Sequence, residues 1–240
     1  MKRGLLPKGF TIVEVLIFLA VSGALAVSAM LFVSGMQNKT QFNQASNDFL
    51  QQVDMVINNT TNGYYAGSDN IKCQRDPSGN VKITDTSTKR GTNADCIFLG
   101  RAIKLDLNSD TYTIYDIAGL RKTGSNTEVT SLAEARPTLI DQTKQEYAYK
   151  NGLKLKKITE NFDYVGFFGS LAQVSASGDI QSSSQQTDFA GFNNLSTLTM
   201  NPSDGVELCL DDGQYFAKIL IGGNDRKATT SMTSGKGVCS

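Results

Sequence analysis

Lys8-Gly9-Phe10-Thr11-Ile12-Val13-Glu14-Val15-Leu16-Ile17 opens an apolar run from Phe10 to Met36 whose only charged side chain is Glu14. A short basic stretch, with Lys2, Arg3 and Lys8, precedes it. The run exceeds the ~20 residues that cross a bilayer as a helix. An acid at the centre of a membrane helix costs ~2.5–3.5 kcal/mol on insertion scales, so Glu14 demands a partner able to enter the same apolar layer. Cleavage after Gly9 would create such a cation, the free α-amine of Phe10. It would lie one helical turn before Glu14 of its own chain, or level with Glu14 of a neighbour stacked alongside.

Beyond Met36 the pattern turns polar but stays periodic. Phe42, Ala45, Phe49, Val53, Val56 and Ile57 form the i, i+3/4, i+7 stripe of an amphipathic helix. No proline interrupts Phe10 to Asn58, so one helix is expected over both halves, 10–36 apolar and 37–58 amphipathic, with Gly35 its weakest point. The stripe reads as a packing face. Asn58-Asn59-Thr60-Thr61-Asn62-Gly63, a run of turn formers, should end the helix.

The remainder, 59–240, reads as a β-rich head. Ile103, Leu105 and Leu107 alternate with polar residues, as do Tyr112 with Ile114 and Leu153 with Leu155, which predicts half-buried antiparallel strands. Tyr164 to Leu171 is apolar enough for a central strand, and Gly166 and Gly169 suggest a bend or a close approach. Ser131 to Arg136 suits a single helical turn stopped by Pro137. Loops are expected at 84–94, 123–127 and 175–187. The clearest hairpin runs from Val206 to Ile221 around Asp212-Gly213. The expected fold class is therefore α+β, a long N-terminal helix packed on an antiparallel sheet.

Composition excludes several chemistries. Histidine is absent, which removes Ser-His-Asp and Cys-His catalysis and any zinc site that needs imidazole. No catalytic residue is expected. Lys+Arg and Asp+Glu are both 23, a balance that gives no support for capture of nucleic acid. The four cysteines, Cys73, Cys96, Cys209 and Cys239, contain no Cys-x-x-Cys and favour disulfides over metal binding in an exported domain. Three connectivities are open. Cys73–Cys96 with Cys209–Cys239 is favoured, because each closes a local, polar, glycine-containing loop.

At Gly9 and Phe10-Thr11-Ile12-Val13-Glu14-Val15-Leu16 the chain resembles the type IV pilins and type II secretion pseudopilins, over about the first 30 residues. The resemblance implies that residues 1–9 are a leader removed after Gly9 by a prepilin peptidase. It further implies that Phe10 becomes the N-methylated first residue, and that Glu14 neutralises the Phe10 amine of an adjacent subunit during assembly. With Lys2, Arg3 and Lys8 gone, 20 basic residues would face 23 acidic ones. The basic leader keeps the N-terminus cytoplasmic and sends the head outward. The implied partners are other pilin subunits through their N-terminal helices, the peptidase, an inner-membrane assembly platform and, before assembly, the membrane. The implied destination is a cell-surface or periplasmic filament serving adhesion, twitching motility, secretion or DNA uptake, with this chain as a minor subunit.

Some pseudopilins bind calcium in a C-terminal loop, and Asp204, Asp211, Asp212 and Asp225 lie in the corresponding region. Asp-Gly is also what a hairpin turn requires, and no Asp-x-Asp-x-Asp loop is present, so no cofactor or metal is expected. Three other readings of the N-terminus and head stand beside the pilin one. A secretory signal peptide would be cut after Ala26 or Ala29, a plain single-pass anchor would keep Met1, and an anchored adhesin domain would never polymerise.

Overall fold

The computed structural model describes residues 10–63, 71–75, 81–85, 96–169, 187–223, 228–235 and 238–239. The chain is α+β. One helix, α1 (Ile12–Thr61, 50 residues), passes through Gly35 without a break and ends within the Asn/Thr-rich run. The chain divides into two compact units, Met1–Phe42 and Asn43–Ser240.

In the first unit α1 keeps its apolar side chains uncovered. Phe10, Ile12, Phe18, Met30, Leu31 and Phe32 are each 70% exposed or more.

In the second unit the strands are β1 (Ile71–Arg75), β2 (Val81–Asp85), β3 (Cys96–Leu105), β4 (Thr111–Leu120), β5 (Thr138–Ala148) and β6 (Lys154–Ile158). They continue as β7 (Tyr164–Phe168), β8 (Asp188–Phe192), β9 (Thr199–Met200), β10 (Val206–Asp211), β11 (Phe216–Ile221) and β12 (Thr230–Ser234). A short helix, α2 (Leu132–Ala135), sits between β4 and β5. The strands form a ribbon β1-β2, a four-stranded sheet β12-β11-β10-β6 and a six-stranded sheet β5-β4-β3-β7-β8-β9. Every described pairing is antiparallel.

The single sheet anticipated from the sequence is thus two main sheets. The terminal hairpin β10–β11 pairs Val206 with Ile221, Leu208 with Ile219 and Leu210 with Ala217, but it joins β6 and β12 rather than the larger sheet. Its turn is also wider than a two-residue one. Asp211 pairs with Phe216, Asp212 N–H donates to Tyr215 O at 3.4 Å, and Gly213 adopts φ +91°.

Two layers of apolar side chains cover the six-stranded sheet. On one face Leu105 pairs with Tyr112, Ile103 with Ile114, and Arg101 with Asp116, and Phe49 of α1 meets Tyr112 edge-on at 5.1 Å. Ala45, Phe49, Val53 and Val56 are buried, so the amphipathic half of α1 supplies this layer. Asp48 to Lys150, Thr61 to Thr187 and Thr230 to Asp54 add polar ties between this part of α1 and the strands and loops. On the other face Leu99, Ala102, Ile117, Phe168, Ala190 and Phe192 cluster with Ala135 of α2.

Tyr164–Phe168 is a central strand, held between β3 and β8. Gly166 has no room for a side chain, since a Cβ there would lie 2.7 Å from the Phe192 ring. The helical turn α2 is capped by Ser131, which accepts from the Glu134 N–H at 3.3 Å. It ends where Arg136 takes a left-handed conformation just before Pro137.

The outer strand β5 exposes Asp141, Gln142, Lys144, Glu146 and Ala148, and the opposite edge, β9, has only two residues.

Candidate functional site

The start of α1 is a reciprocal cap. Thr11 accepts the Glu14 N–H on its Oγ1 at 3.2 Å. In return the Glu14 Oε2 accepts the Thr11 N–H at 2.8 Å and the Thr11 hydroxyl at 2.9 Å. Ser/Thr-x-x-Glu is the sequence form of this box, which satisfies two backbone donors that a helix start leaves open. Glu14 therefore has a local partner within its own chain, a role that was legible in the Thr11-to-Glu14 spacing but was overlooked beside the intramembrane acid. The carboxylate remains exposed to whatever surrounds the helix.

Around it lies one of the most apolar surfaces the chain can present. An 18-residue window of α1 has a mean hydropathy of 2.5, and none of it is buried. By length and composition this helix can cross a membrane. A continuous apolar surface of that extent marks contact with lipid or protein, since soluble monomers keep such patches to a few hundred Å².

The other expected site residues fall in different places. Gly9 lies outside the described residues, whereas Phe10, immediately before Thr11, is 87% exposed. Cys209 of β10 and Cys239 are joined by a disulfide with their Cα atoms 5.7 Å apart. Cys73 lies on β1 and Cys96 opens β3, and the bond expected between them lies outside the described side chains.

The aspartates near the terminal hairpin serve its turn. Asp211 accepts the Gly213 N–H at 2.6 Å, and Asp212 accepts the N–H groups of Gln214 and Tyr215, each at 2.8 Å. Asp225 lies outside the described residues. Among the described residues no three His, Cys, Asp or Glu side chains converge on a point that would hold a metal ion.

One buried polar pair escaped the sequence reading altogether. Arg101 and Asp116 face each other across β3 and β4, and Arg101 Nε donates to Asp116 Oδ1 at 2.8 Å. Both side chains are out of solvent, and the Thr143 hydroxyl accepts the Asp116 backbone N–H at 3.2 Å. The sequence signal was only one charged residue in the middle of each of two largely apolar strands.

Neither a protein-family model, nor a curated protein, nor a solved structure matches this chain.

Proposed function

We propose that this chain is a structural subunit of a type IV pilus or a related filament, in the manner of a minor pilin or pseudopilin. The observation that carries the reading is the start of α1, where Glu14 is the one acid in an uncovered apolar half-helix, three residues into it and four after Phe10. In this reading the chain enters the membrane once, N-terminus cytoplasmic, and prepilin peptidase cuts after Gly9. Phe10 is N-methylated, and an assembly platform draws the subunit out of the bilayer into a bundle of like helices. Close packing of the Phe10–Met36 surface against like helices replaces its lipid contacts in that step. Apolar area that would otherwise face water outside the bilayer adds ~25 cal/mol per Å² on burial.

Glu14 sets the register. In the free subunit its carboxylate closes the Thr11 cap, and on assembly it meets the Phe10 amine of the next subunit. Truncating one member of a buried pair leaves an uncompensated charge and costs ~3–5 kcal/mol. The head built on the second half of α1 is then displayed outside the filament core.

Mass spectrometry of the N-terminus of protein from its native host tests this reading. The expected first residue is N-methylated Phe10. A chain that begins at Met1, Val27 or Met30 overturns it. In-cell cross-linking from positions near Phe10 adds a second arm, in which contacts to other pilin-like subunits are expected. An anchored domain that never polymerises would give none.

A further inference from the structure

Between α1 and the end of β5 the second unit leaves a cleft of about 230 Å³. Its wall is aromatic. The Tyr112 and Tyr147 rings stack at 5.5 Å with planes 14° apart, and Tyr149 packs on Tyr112 at 5.0 Å and on Phe49 at 5.2 Å. Gln51, Ala148 and Lys150 stand exposed at the rim.

The polar atoms of this wall are only partly used. The Tyr147 hydroxyl donates to Gln145 Oε1 at 2.8 Å. Tyr149 is 92% removed from solvent, yet its hydroxyl has no hydrogen-bond partner among the described residues, and the same holds for Gln52 Oε1. Tyr112 is 4% exposed, and its ring packs on Phe49, Tyr147 and Tyr149. Burial, then Tyr147 and Asp48, push its hydroxyl up to about 12, so it stays a donor at neutral pH. Each buried hydroxyl left unmet costs ~1–3 kcal/mol, a cost that a bound polar ligand removes.

Size and charge narrow the ligand. The cleft holds roughly seven waters at ~30 Å³ each, and it is smaller than the ~300–1,000 Å³ of a drug-sized site. Lys150 and Asp48 pair at 2.8 Å and cancel, so the cleft has no net charge to attract a free cation or anion. What remains is a ring-faced wall beside hydroxyl and carboxamide groups, suited to a small molecule with one C–H face and a hydroxylated perimeter.

We propose that this cleft binds one neutral sugar residue. A pyranose would lay its C–H face on the Tyr147 ring, the least buried of the three, and its hydroxyls would meet Asp48, Gln52 and the Tyr112 and Tyr149 hydroxyls. The site lies wholly in the second unit and does not depend on the filament reading.

The test uses the full chain in lipid nanodiscs, which avoids sugar-based detergents. The sequence has eight tyrosines and no tryptophan, and Tyr112, Tyr147 and Tyr149 line the cleft, so occupancy changes their share of the tyrosine emission. Glucose, galactose, mannose and N-acetylglucosamine are titrated in turn. At least one should give a saturable change with a half-point on the order of 1 mM. Tyr112→Phe, which removes only a hydroxyl, and Asp48→Asn should each weaken it by about tenfold or more, while Tyr115→Phe leaves it unchanged. Circular dichroism confirms that each variant is folded. The proposal fails if none of the four sugars saturates, or if saturation ignores both cleft variants. Tighter binding of choline or of N-acetylneuraminic acid than of every neutral sugar also overturns it.

Discussion

Arg101 and Asp116 sit directly opposite each other on β3 and β4, with a 2.8 Å contact from Nε to Oδ1 and both side chains out of water. Their desolvation is offset only while both are present. Asp116→Ala should therefore destabilise the fold by ~3–5 kcal/mol, because it strands the guanidinium. The double variant Arg101→Met/Asp116→Leu should recover most of that loss. Urea unfolding of the single and double variants checks this, and a double variant as unstable as Asp116→Ala would refute it.

Glu14 serves the Thr11 cap in the free chain, and in the proposed filament it also supplies a charge. Glu14→Gln separates the two, since glutamine keeps the capping box but not the charge. Both Glu14→Gln and Glu14→Ala should be cleaved after Gly9 and fail to assemble, whereas only Glu14→Ala loses the ~1 kcal/mol of the cap. Filament yield by electron microscopy and helix content by circular dichroism read the two effects. Normal filaments from Glu14→Gln would reduce the residue to its capping role.

The Cys209–Cys239 bond closes a loop with a sequence separation of 30 that contains β11 and β12. The chain-entropy relation gives ~3–4 kcal/mol for a loop of that length. Cys209→Ser/Cys239→Ser should lower stability by about that amount. Hydrogen exchange should quicken first in 230–234, because β12 is the edge strand of its sheet and lies just before Cys239. Equal protection with and without the bond would show that β12 is held by its ladder alone.

Gly222 holds φ +75°, and a Cβ there would fall 1.9 Å from Cζ of the buried Phe189 ring. Gly222→Ala combines a left-handed backbone with overpacking and should cost ~2–4 kcal/mol. Gly152→Ala meets nothing within 4 Å at φ +72° and should cost only the backbone part, about 1–2 kcal/mol. Thermal melts of the pair distinguish crowding from backbone strain.

Alkaline pH should loosen the tyrosine cluster. Tyr112 has a folded value of about 12 against 10.0 for the ordinary group, chiefly through burial. Tyr149 is raised for the same reason. Between about pH 10 and 12 the unfolded chain releases a phenolic proton that the folded chain keeps. Stability contributed by this group is thus whole below pH 10 and falls as pH rises toward 12. Tyr112→Phe/Tyr149→Phe should flatten that part of the stability curve, followed by denaturant midpoints across the range.

What the sequence made legible was what repeats. The stripe through Ala45, Phe49, Val53 and Val56, the alternation of Leu208 and Leu210 with Ala217, Ile219 and Ile221, and the Ser131-to-Pro137 turn all announce themselves by period or by capping residues. β5 did not, because an edge strand with one face in water carries few apolar residues, and Thr138–Ala148 shows no sustained alternation. β8 was hidden by its glycine and by its short length. Which sheet a hairpin joins is a long-range matter, so the pairing of β10 with β6 had no local signature. At the candidate site Glu14 stood out by its charge, but its bond to Thr11 is an ordinary helix start. The tyrosine cleft is assembled from α1, β4 and the end of β5, and no single stretch could have displayed it.

In the proposed filament, the two ends of the six-stranded sheet would matter most where copies are brought close together. Strand β5 turns Lys144, Glu146 and Asp141 outward, and β9 offers two residues, too few to template another strand. Heads brought side by side in the proposed filament would therefore not fuse into a common β-structure through the rims of this sheet.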